Sequence, residues 1–95
     1  MITLIAKLKV KEGKMEEAVN VLKEAVPKIK KSEPGLLVYT PHTVNGEENT
    51  IIFYEKFSDQ KALDLHSGNI SKSLANFFSL LEPGGIDVKT CKEII

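Results

Sequence analysis

The 95 residues carry 13 basic side chains against 13 acidic ones, with a hydrophobic fraction of 42%. A chain of this length makes one domain, spanning residues 1–95, that buries roughly two-thirds of the surface its unfolded form exposes; no apolar run is long enough to span a membrane, and the balanced charge provides no field for nucleic acid or an acidic membrane face. All thirteen basic residues are lysines, so the planar fork that grips phosphates and carboxylates at two points is missing.

The chain opens with strict alternation, Ile2, Leu4, Ala6, Leu8 and Val10 on one face with Thr3, Lys7 and Lys9 on the other, which predicts a half-buried strand. The two lysines interrupt any signal-peptide core, and the single cysteine, Cys91, permits no intrachain disulfide; both features point to the cytoplasm. After Gly13, the apolar positions Met15, Ala18, Leu22, Ala25, Val26 and Ile29 recur at helical spacing and predict an amphipathic helix over 14–31. Pro27 removes a backbone donor and crowds the preceding turn, so a kink or an early helix end is expected there. The lysines at 28, 30 and 31 complement the dipole at that helix end and need no nucleic acid to explain them.

Ser32-Glu33-Pro34-Gly35 reads as a turn. The runs 36–43 and 50–57 are rich in branched and aromatic residues and flank Asn45-Gly46, the signature of a hairpin. Pro41 places the first of these strands at a sheet edge or a bulge. By alternation, Leu37 and Tyr39 lie opposite Leu36 and Val38, and Ile51, Phe53, Glu55 and Phe57 lie opposite Ile52 and Tyr54. Ser58 or Asp59 caps a helix running through Ala62, Leu63 and His66 toward Ser67-Gly68-Asn69. A second helical stretch with Ile70, Leu74, Phe77, Phe78 and Leu81 on one side ends before Pro83-Gly84-Gly85, and a final strand covers 86–95.

The order strand, helix, strand, strand, helix, strand is that of an α+β, ferredoxin-like βαββαβ fold with a four-stranded antiparallel sheet and both helices on one face. The third strand is apolar on both sides, so the far face needs a cover, and the same face of a second copy supplies one; a homodimer is expected.

Gly13 after the opening strand, Glu33-Pro34-Gly35 followed by Tyr39, Glu55-Lys56-Phe57-Ser58-Asp59, then Ala62-Leu63, His66 and Phe77 together resemble the antibiotic biosynthesis monooxygenase family, whose members are dimeric α+β barrels. The resemblance implies a cofactor-independent monooxygenase that joins molecular oxygen to a small aromatic quinol or phenol. Other branches break down haem or act on a phosphorylated signalling sugar derivative, so the scaffold does not dictate the reaction. Phe57 stands where many members have tryptophan, and the asparagine and histidine of the haem-degrading branch are missing from the matching stretches around Leu4–Leu8 and Ser71–Asn76.

On this reading the candidate catalytic residues are His66, Glu55 and Tyr39, and Phe53, Phe57, Phe77 and Phe78 are candidate walls for a flat ligand. His66, at helical spacing from Leu63 and Ile70, leans toward the sheet, either as a base for a phenolic proton or as a buried histidine tied to a backbone carbonyl. Glu55 shares its face with phenylalanines and needs a partner there, His66 or a tyrosine, unless it makes a structural contact. Tyr39 and Tyr54 are on strands of alternating faces, so at most one sees a given pocket. Each phenylalanine alone also reads as core. His42 is expected at the surface and Cys91 as an inert thiol. Two isolated histidines and one cysteine lack the short spacings of a metal site, and Gly84-Gly85 follows a helix instead of opening one, so no phosphate loop is formed. The RNA-recognition motif shares the topology, but its basic and aromatic signature is missing from 50–57. The alternatives are an isomerase or tautomerase working by proton transfer in the same pocket, or a non-catalytic small-molecule-binding dimer.

Overall fold

The computed structural model describes residues 1–95. Its elements are β1 (Ile2–Val10), α1 (Met15–Ser32), β2 (Leu36–Val44), β3 (Glu47–Phe57), α2 (Gln60–Ser73), α3 (Ala75–Phe78) and β4 (Leu81–Lys92). The strands form one antiparallel sheet in the order β2-β3-β1-β4, the ferredoxin-like α+β arrangement that the alternation and helical periodicity predict. No helix is long and apolar enough to cross a membrane.

Register decides which side chains meet the helices. Leu4 pairs with Glu55, Ala6 with Phe53 and Leu8 with Ile51, so these six share one face, and all are buried. The α1 stripe Ala18, Leu22, Val26 and Ile29 packs into the same core. On the opposite face Ile5, Val38, Ile52 and Tyr54 are only half-buried.

Three details differ from the expected pattern. First, of the two outcomes expected at Pro27 the early helix end does not occur: α1 runs on to Ser32, in keeping with the helix read over 14–31. The proline costs about 3 kcal/mol in a helix interior, whereas burying Val26 and Ile29 on either side of it stabilises by roughly 1.5–3 kcal/mol each; packing wins over the lost bond. Second, β2 does not alternate strictly. Leu36 pairs with Phe57 and Val38 with Lys56, so Leu37 is an extra residue, a bulge that reverses the parity of the strand. Leu36 and Tyr39 therefore face the core together, where alternation placed them opposite, while Leu37 is exposed. Pro41 is on the sheet edge, as expected. Third, α2 runs through Gly68 and breaks at Leu74, and β4 starts at Leu81 rather than 86. Pro83-Gly84-Gly85 lies within β4, where the register shifts between Leu8 and Val10. A Cβ on Gly85 would come within 2.9 Å of Lys9 Cβ, so a glycine lets the bulge lie flat on β1.

Candidate functional site

The residues around His66 are assembled by the loop that precedes β2. Asp59 caps α2 by accepting the Ala62 N–H at 2.9 Å, which fixes where the helix begins. The Ser58 N–H donates to the Gly35 carbonyl at 2.9 Å, tying the start of that helix to the turn after α1. Gly35 presses on Ala62 so closely that a Cβ there would stand 2.5 Å from Ala62 Cβ. His66 is one turn beyond Ala62 on the same helix face, so the contact that seats Gly35 also brings Glu33 to the imidazole.

The ring lies between two carboxylates. Its Nδ1 is 3.0 Å from Glu33 Oε1 and its Nε2 is 3.6 Å from Glu55 Oε1, with all three side chains buried. A carboxylate can only accept, so Nδ1 donates to Glu33. At 3.6 Å Nε2 is beyond a hydrogen bond to Glu55, which leaves it as the ring nitrogen available to a ligand. Because the carboxylates address opposite ring nitrogens they do not converge on a point, and no group of three His, Cys, Asp or Glu side chains is arranged to hold a metal ion. Tyr39 meets the ring edge-on at 5.0 Å, and Phe57 lies 5.2 Å from it.

Electrostatics follow from this enclosure. Burial, and then the nearby Glu33 charge, push the Glu55 carboxyl up to about 7. Burial, followed by the charges of Glu55 and Glu33, holds the Tyr39 phenol well above its ordinary range, so it is a hydroxyl donor throughout the neutral region. A carboxyl that exchanges its proton near neutrality, next to an imidazole, is suited to acid and base work.

Glu55, His66, Tyr39, Phe53, Phe77 and Phe78 line one cavity of about 260 Å³ together with Leu4, Ala6, Leu8, Ser67, Ile70, Leu74, Ile86 and Val88. Phe53 and Phe77 meet edge-to-face with centroids 6.2 Å apart. Ile86 and Val88, about half exposed, form its outer rim on β4. An apolar cavity of about 150 Å³ holds benzene, so this one suits one or two fused rings. A larger groove of about 500 Å³ between α1 and α3 is walled by Glu24, Lys28, Ser32 and Asn76 and brings no buried titratable group to its surface.

Of the seven candidates drawn from the sequence, the structure brings six to this cavity. Phe57, fully buried, flanks the imidazole instead of lining the cavity. Tyr39 faces the cavity, whereas Tyr54 is on the other side of the sheet. His42 is at the surface, its Nδ1 3.2 Å from the Ile52 carbonyl, and Cys91 is exposed. In the sequence Glu33 stands only in a turn and in the Glu33-Pro34-Gly35 stretch of the family resemblance, with no chemical role assigned to it. One signal in the sequence marks it: an acidic residue at the C-terminal end of a helix, after Lys30 and Lys31, opposes the helix dipole and so calls for a partner elsewhere.

The family model described as antibiotic biosynthesis monooxygenase matches residues 1–70, a stretch that includes Glu33, Tyr39, Glu55 and His66. Among solved structures, a candidate antibiotic biosynthesis monooxygenase from Caulobacter crescentus CB15 is 25% identical with a TM-score of 0.88, over 99% of this chain and 90% of that one. A conserved protein from Methanosarcina mazei Go1 is 21% identical with a TM-score of 0.79, over 97% and 91%. A candidate antibiotic biosynthesis monooxygenase from Nitrosomonas europaea is 16% identical with a TM-score of 0.80, over the whole of both chains. No curated protein matches.

Proposed function

The chain belongs to the antibiotic biosynthesis monooxygenase family, and from that premise we propose that it oxygenates a small, uncharged phenol or quinol without metal or flavin. The observation that carries this reading is the buried His66–Glu55 pair in the wall of an apolar cavity of about 260 Å³. No lysine lines that cavity, so an anionic ligand would meet Glu55 uncompensated, while a neutral hydroxyl can donate into the pair. His66 Nε2 or Glu55 takes the phenolic proton, and Tyr39 donates to the oxygen left behind. The electron-rich phenolate then reduces molecular oxygen in a pocket whose lining is mostly apolar. The balance needs no other reductant: a phenol and one oxygen molecule yield a quinone and one water, one oxygen atom entering the ring and the phenol supplying all four electrons.

The test uses 1-naphthol under labelled oxygen. The expected result is one oxygen molecule consumed per naphthol, one labelled atom in the naphthoquinone and the other in water; no uptake across one- and two-ring phenols and quinols would sink the proposal. A carboxyl poised at about 7 equally favours reversible proton transfer, so an isomerase or tautomerase is the second reading, recognised by substrate conversion with no oxygen consumed.

The working form in this proposal is a cytoplasmic homodimer joined through the sheet face opposite the helices, where Ile5, Val38, Ile52 and Tyr54 are half-buried with no helix over them. Covering such a face with its own copy removes apolar surface from water on both sides at once. Sedimentation velocity at micromolar concentration is expected to show a dimer, and substituting Ile52 by lysine to convert it to monomer; a wild-type monomer would remove this part of the proposal.

A further inference from the structure

Glu33 occupies a position that local physics disfavours. It is the C-cap of α1, two residues after Lys31, where the helix dipole repels a negative charge. Its side chain is only 4% exposed, so it also forgoes most of its hydration. The compensating contact is His66 Nδ1 at 3.0 Å, 33 residues along the chain. Glu33 does not line the cavity, whereas His66 does; whatever it contributes to chemistry passes through the imidazole. Pro34 stiffens the segment behind it, and the Gly35–Ala62 contact fixes that segment to the helix turn preceding His66, so carboxylate and ring are referenced to the same rigid element.

We infer that Glu33 is the positioning residue of this site: its carboxylate accepts a hydrogen bond from the Nδ1–H of His66 and holds the ring as the tautomer whose Nε2 lone pair faces Glu55 and the pocket. The inference rests on reading the cavity as a proton-transfer site. A neutral imidazole released from that acceptor can carry its hydrogen on Nε2, where it points at Glu55 and offers the ligand no base. Glu33 is thus the third group of a carboxylate–imidazole–carboxylate line, one end orienting and the other facing substrate.

The chain has two histidines, so nitrogen-15 spectra of the histidine side chains are simple, and a His66→Gln sample assigns them. At pH 8, the wild-type protein is expected to show Nδ1 of His66 protonated and Nε2 unprotonated. Glu33→Met, similar in length but unable to accept, is expected to move the hydrogen wholly or partly to Nε2. If the oxygenase reading holds, the same substitution lowers kcat on the order of 100-fold or more with KM little changed, as loss of the orienting carboxylate does in triad sites. A wild-type ring protonated on Nε2, or a tautomer unmoved by Glu33→Met, would overturn the inference, and the wild-type spectrum decides even if the variant does not fold. A tautomer that moves as expected in a protein that consumes no oxygen supports the placement of Glu33 and removes the oxygenase reading instead.

Discussion

Replacing His66 by glutamine is expected to lower kcat/KM for phenol oxygenation by about 10²–10⁴-fold, the range that a positioned acid or base contributes. Glutamine is the informative choice because its amide nitrogen can donate to Glu33 in place of Nδ1, at the 3.0 Å contact that the imidazole makes. A leucine would leave a buried carboxylate without a donor and confound catalysis with stability. Glutamine offers no nitrogen lone pair to the cavity, so proton abstraction falls to Glu55 alone. Steady-state oxygen uptake, on protein shown by circular dichroism to be folded, measures the effect, and partial recovery on adding free imidazole would identify the missing group as the base. Uptake within about threefold of wild type would remove His66 from the mechanism.

The second large effect concerns stability against pH. Burial and the Glu33 charge hold the Glu55 carboxyl at about 7 against an ordinary value of 4.5. Between those values the native state binds a proton that the unfolded chain has released, so the stability falls as pH rises. The favourable contribution is fully present below 4.5 and is lost as the pH passes through 7. A difference of this size is worth on the order of 3 kcal/mol, or about 10–20 °C in Tm for a chain of this length. Glu55→Gln keeps the shape of the side chain and removes the ionisation, while Glu33, His66 and Tyr39 are present in both proteins. Calorimetry from pH 4.5 to 8.5 is therefore expected to show the wild-type Tm falling relative to that of the variant. Parallel curves would mean that Glu55 ionises in the folded protein as it does in the unfolded one.

The positions that sequence and structure agree on, and those where they part, have a common physical basis. Alternation in 2–10 and 51–57, helical spacing in 15–29 and the Asn45-Gly46 turn are local signals, each set by the geometry of one element, and together they determined the order of elements and the ferredoxin-like topology. They also placed His66 on the inner helix face and Glu55 among phenylalanines, which marked both as chemically unusual. Other features depend on contacts between distant segments. The Leu37 bulge that turns Tyr39 inward is a property of the pairing of β2 with β3. The persistence of α1 through Pro27 comes from what Val26 and Ile29 bury against. The strand identity of Leu81–Gly85 comes from pairing with β1. The role of Glu33 emerges only when Gly35 seats on Ala62 and closes 33 residues of chain onto one imidazole nitrogen. Sequence periodicity reports which face of an element is apolar; it carries no information about register or about which polar group answers a buried charge, because both are set by partners far along the chain.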